Sequence, residues 1–175
     1  MILNHKIKIS LKEFIYNGQF DHLKLGMSRD KVLTVLPQPD EWGKEKEFHS
    51  AAIWRYGNFE LYFNEDQLYM IFNDYIHSID GGKHLEVDKW IFDGRRILLS
   101  EFILLLINEK VDFEKVTNVI GQVIIKIKGS DVFLSFDKVD IDEEDSYFET
   151  LTEEDLELPS RFELHAIYKT KEKYK

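Results

Sequence analysis

The sequence predicts an α+β fold: tandem helix-plus-antiparallel-sheet repeats, in two sheets or sharing one, with the helices packed on one sheet face. Three observations predict it. Short segments with helical apolar spacing follow Ser residues suited to cap a helix. Each helical segment is followed by short runs with period-2 alternation, separated by Gly and Asn turns. The two halves also read alike, since Met27-Ser28 before a helix parallels Leu99-Ser100 before a helix. Likewise Gly57-Asn58-Phe59-Glu60-Leu61-Tyr62-Phe63 parallels Gly129-Ser130-Asp131-Val132-Phe133-Leu134-Ser135-Phe136.

The elements follow in order. Ser10-Leu11-Lys12-Glu13 fits a capping box, with Ser10 as N-cap and a helix running to about Asn17, stopped by Gly18. Ser28 caps a second helix whose apolar face is Val32, Leu33, Val35 and Leu36, closed by Pro37 and Pro39. Strands are expected over 51–56, 59–63 and 68–72, with turns at Gly57-Asn58 and Asn64-Glu65-Asp66. Ser100 opens a helix to about Glu109, and strands follow over 113–118, 123–128, 132–136 and 162–168. The organisation is a first unit at 1–80, a linker at 81–97 and a second unit at 98–175.

Alternation assigns the two sheet faces. Phe59, Leu61, Phe63, Leu68, Met70, Val132, Leu134, Phe136, Leu164 and Ala166 are expected to face the helices. Arg55, Glu60, Tyr62, Tyr69, Ile71, Lys126, Lys128, Phe133, His165 and Ile167 face the other way. A sheet face that mixes aromatics with charges suits protein binding.

Charge is localised. The net charge is −10, and the stretch 137–157 holds eleven acids against the one base Lys138, while the rest of the chain is balanced. This segment reads as an insertion in a hairpin loop, where extra length costs little stability and often carries function. Nucleic-acid binding is disfavoured, because it needs a concentrated basic surface. A basic protein partner is attracted instead. The chain has no Cys, and its N-terminus lacks the continuous apolar stretch of a secretory signal, so a cytoplasmic location is expected.

A series of motifs carries a resemblance. Leu25-Gly26-Met27-Ser28-Arg29-Asp30-Lys31-Val32 is followed by Leu36-Pro37-Gln38-Pro39, Ile53-Trp54-Arg55-Tyr56-Gly57, Leu61-Tyr62-Phe63-Asn64 and Leu68. Over residues 23–72 this resembles the SmpA/OmlA family and the β-lactamase-inhibitor-protein-like fold, and the repeat extends the likeness to 98–168. The resemblance implies a helix-plus-sheet unit that binds a protein target with its sheet face. Size, acidity and architecture also resemble small bacterial immunity proteins that accompany toxins.

Catalytic and cofactor motifs are absent: no G-x-S-x-G, no phosphate-cradling G-x-x-x-x-G-K-S/T and no G-x-G-x-x-G occur. The acids of the insertion lack the spacing and central Gly of a calcium loop. His77, Asp80, His84 and Asp88 supply zinc-ligand types around Gly81-Gly82, but at no defined metal spacing. The expectation is a non-enzymatic immunity or inhibitor protein, without cofactor, that blocks a basic toxin or enzyme. Its expected contacts are Arg55, Glu60, Tyr62 and Tyr69 on the sheet, and Glu143, Glu144, Asp145, Glu153, Glu154 and Asp155 in the insertion. The rival is a small-molecule- or metal-binding protein or enzyme using the loop 77–88.

Overall fold

A computed structural model describes residues 6–139 and 158–171. Strand β1 (Ile7–Ser10) leads directly into helix α1 (Leu11–Asn17), and helix α2 (Arg29–Leu33) follows. Then come β2 (Glu41–Trp42), β3 (Ile53–Tyr56), β4 (Phe59–Asn64), β5 (Gln67–Asn73) and β6 (Leu85–Asp88). Helix α3 (Leu99–Asn108) precedes β7 (Phe113–Thr117), β8 (Val123–Ile127), β9 (Val132–Lys138) and β10 (Phe162–Thr170).

The expected tandem of helix-plus-sheet repeats does not form. Among the described residues the chain is mostly β: eight strands join one antiparallel sheet in the order β2-β3-β4-β5-β10-β9-β8-β7. The helices are too short to form a layer for each half, at 7, 5 and 10 residues, and at the sheet's centre β5 pairs directly with β10, joining the strands of both halves in one ladder. β1 and β6 form a separate two-stranded parallel sheet. The stretch 81–97 contributes β6 to it. Neither β1, β2 nor β6 is expected from the sequence.

The local signals hold better than the architecture. Ser10 accepts from the Glu13 N–H and Gly18 ends α1 in the left-handed conformation at φ 70°. The Glu13 carboxylate does not complete a capping box; it accepts from Asn17 Nδ2 at 2.6 Å. Ser28 caps α2 through the Lys31 N–H. Helix α3 begins one residue before Ser100, after Leu98, which offers no side-chain cap.

The core lies between the helices and one sheet face. Phe14 of α1 packs edge-on to Phe20, which meets Phe59 of β4 in the same way, while Phe102 of α3 contacts Phe136 of β9. Trp54, Tyr56 and Leu61 are fully buried beside them. Among the described residues, no helix is long and apolar enough to cross a membrane.

Two β-bulges change the face assignment. In the β4–β5 ladder, Tyr62 opposes Met70 but Phe63 opposes Leu68, so Tyr69 is an extra residue. In the β9–β10 ladder, Leu164 opposes Phe136 but Ala166 opposes Ser135, so His165 is extra. Each bulge inverts the alternation beyond it. Ile71 and Ile167 therefore turn into the core, buried at 1% and 2% exposure, opposite Leu61 and Leu134. Met70 and Ala166, expected in the core, turn to the outer face.

Candidate functional site

The same inversion brings Phe72 and Tyr168 to the outer face. Cross-strand pairing then lines up one residue from every strand of the large sheet: Glu41, Arg55, Glu60, Phe72, Tyr168, Phe133, Lys126 and Glu114. Directly opposed residues share a face and touch. The row is aromatic in its middle and charged at both flanks.

The aromatic centre is continuous. Tyr69 lies 6.1 Å from Tyr62, Tyr62 lies 6.2 Å from Phe72, and Phe72 lies 6.4 Å from Tyr168. Tyr168 stacks on Phe133 at 5.3 Å with the rings 10° from parallel, and Lys126 Nζ sits 5.7 Å above the Phe133 ring. One row further along the strands, Val116, Ile124, Ser135 and Ala166 are in register. With Phe72, Tyr168, Phe133 and Lys126, this second row lines an open groove of about 560 Å³ over β5 and β7–β10, bordered by Asn118, Gln122 and His165.

The charged flank is ordered from within. Glu60 is only 8% exposed, and its carboxylate is held on one side by Arg55, with Nε and one terminal nitrogen each at 2.7 Å. The Tyr62 hydroxyl donates to its other oxygen. A buried carboxylate needs such partners. Burial opposes the Arg55 charge, but the hydrogen bond and charge of Glu60 outweigh it and raise the pKa. Glu60 thereby fixes Arg55 and Tyr62 on the outer face.

Four tyrosines titrate late. Burial raises the pKa of Tyr16, Tyr56, Tyr62 and Tyr168, aided by Glu109 at Tyr16, Asp40 at Tyr56 and the Glu60 hydrogen bond at Tyr62. Above the ordinary tyrosine pKa of about 10, the unfolded chain releases these protons while the folded chain keeps them. The stabilisation is complete below that pH and is lost as pH rises through the folded values. Lys169, whose pKa burial lowers against the charge of Asp131, acts with the opposite sign. Four phenols outweigh one ammonium, so urea melts are expected to show stability falling beyond about pH 10, less steeply in Tyr62→Phe. A flat profile would contradict this.

The loop 77–88 does not converge. His77 Nε2 meets Glu163 Oε1 at 2.9 Å, and Asp80 Oδ1 accepts from the Gly82 N–H. His84 Nε2 lies 3.5 Å from Asp40, and Asp88 Oδ1 accepts from the Trp90 N–H. Among the described residues, no group of three or more His, Cys, Asp or Glu could hold a metal ion.

Of the sheet residues expected at the site, Arg55, Glu60, Tyr62 and Tyr69 fall into one connected group. Phe72 and Tyr168 were missed, because strict alternation from Leu68 and Leu164 puts both in the core. Glu143, Glu144, Asp145, Glu153, Glu154 and Asp155 lie outside the described residues. No family model, curated protein or solved structure matches the chain.

Proposed function

We propose that this protein is a non-enzymatic, cytoplasmic binding module that holds a basic protein partner on the outer face of its large sheet. In this reading the role is immunity or inhibition: the module occludes a toxin or enzyme by covering it. The observation that carries this reading is the row of paired side chains spanning all eight strands, aromatic at its centre. Rings on a rigid sheet lose little conformational entropy on binding, and such aromatics dominate interface energies. Glu41 and Glu114, at the two ends of the row, add direction by charge toward a basic partner.

Localised charge supports a basic partner. The insertion leaves the end of β9 and returns at the start of β10, and the groove lies on those two strands. A concentration of acids tethered there accelerates the encounter with a cationic surface. Replacing Glu143, Glu144, Asp145, Glu153, Glu154 and Asp155 by Gln or Asn is expected to slow association about tenfold and to flatten its dependence on salt. Stopped-flow kinetics with the partner, once isolated by affinity capture, measure both. Unchanged rates would sink the steering role.

A further inference from the structure

The outer edge of the large sheet carries a second, independent feature. Its two edges are unlike. The β2 edge is two residues long, and Trp42 behind it packs 5.9 Å from Phe48. The β7 edge is five residues long and exposed from Glu114 to Thr117. Long open edges are templates for strand pairing.

The backbone of β7 shows which groups are free to pair. The Asn118 N–H donates to the Gln122 carbonyl and the Lys128 N–H donates to the Asp112 carbonyl. With Glu114 opposite Lys126 and Val116 opposite Ile124, alternation directs the main-chain groups of Glu114 and Val116 to β8. Those of Phe113, Lys115 and Thr117 therefore point away from the sheet.

Exposed aliphatics concentrate on the same hairpin. Val116 is 55% exposed, Ile120 75% and Val119 104%. The tip that presents the last two is rigid: Asn118 Oδ1 accepts from the N–H of Ile120 and of Gln122, and its Nδ2 donates to Gln122 Oε1. Three exposed aliphatic side chains gathered on one braced hairpin point to a contact surface.

We infer that β7 pairs antiparallel with β7 of a second copy of this chain. Charge narrows the register. A two-fold centred on Glu114 or on Lys115 sets a like charge directly against itself, and one centred on Phe113 sets Glu114 against Asp112, each of which is destabilising. Centring on Val116 or on Thr117 avoids all three, and only Val116 brings an exposed aliphatic side chain to the axis. That centre places Val116 against Val116 at a non-hydrogen-bonded position, where opposed side chains lie closest. Lys115 and Thr117 then exchange main-chain hydrogen bonds across the axis, and Val119 comes level with the second copy's Phe113. The two-fold runs along the sheet normal, so both grooves open on the same side and the pair presents two binding faces together.

Each chain carries −10, which opposes association until salt screens it. Self-association is therefore expected to strengthen with ionic strength, the reverse of steering toward a basic partner, so the two ideas fail separately. Sedimentation velocity across concentration and salt tests the pairing. The expected result is a monomer–dimer equilibrium, favoured by salt and weakened at least about tenfold by Val116→Arg, which sets like charges across the axis. Val119→Ser/Ile120→Ser is expected to weaken it in the same direction. A monomer at every concentration and salt would overturn the inference. So would a dimer indifferent to Val116→Arg.

Discussion

Gly57→Ala is expected to lower stability by at least about 3 kcal/mol, combining left-handed strain with overpacking. Gly57 sits at φ 59°, and a Cβ there would strike the Asp80 carbonyl oxygen and the Gly82 nitrogen. Both obstacles are backbone and cannot swing aside. The contact matters because Asp40 staples the same place: its Oδ2 accepts from the N–H of Gly57 at 2.9 Å and of Lys83 at 3.2 Å. The β3–β4 turn, the loop 80–83 and the approach to β6 are thus fixed together. Gly129→Ala is the control, since Gly129 has φ 84° but nothing within 4 Å of the added carbon. It is expected to cost about 1 kcal/mol. Thermal melts separate the two, because a loss of about 3 kcal/mol moves the midpoint by roughly 6–12 °C in a chain of this size. Equal shifts in both variants would mean that the loop moves aside and that the staple is weak.

Phe72→Ala and Tyr168→Ala are each expected to cost about 2 kcal/mol or more of partner binding, roughly thirtyfold in Kd. These rings occupy the centre of the outer row, where contacts are most completely desolvated. Tyr168 also supports Phe133 by stacking, so its loss loosens the groove floor. Each ring is half-buried in the free protein. Melts of the same variants therefore establish that the fold survives before binding is measured by calorimetry. Glu114→Gln at the rim is expected to leave affinity nearly unchanged, as rim charges act mainly on rates. Wild-type affinity in both ring variants would remove the sheet face from the interface.

Local features of the fold were legible in the sequence. Ser10, Gly18 and Ser28 announced helix ends through side-chain and left-handed geometry that depends on near neighbours alone. The strands over 53–73, 113–138 and 162–170 showed in alternation and turn residues. Assembly was not legible. Nothing in the chain around Phe72 or Tyr168 states that β5 and β10 pair, and that pairing turns a tandem into one sheet. The bulges at Tyr69 and His165 were hidden for a related reason. A bulge is set by two strands together, while alternation is read from one. Because the bulges place Phe72 and Tyr168 on the outer face, the centre of the candidate site was invisible while its flank, Arg55 with Tyr62 and Tyr69, was visible. The edge strands β2 and β6 were too short or too polar to stand out from loops.

The central claim is that a basic protein binds the outer sheet face. Its most direct test is affinity capture from the native cell extract, at low and high salt, with wild type beside the Phe72→Ala/Tyr168→Ala double variant. Quantitative mass spectrometry reads what each retains. The prediction is a basic protein held stoichiometrically by the wild type, weakened by salt and lost from the double variant. No specific protein at either salt, or equal retention by the double variant, would contradict it.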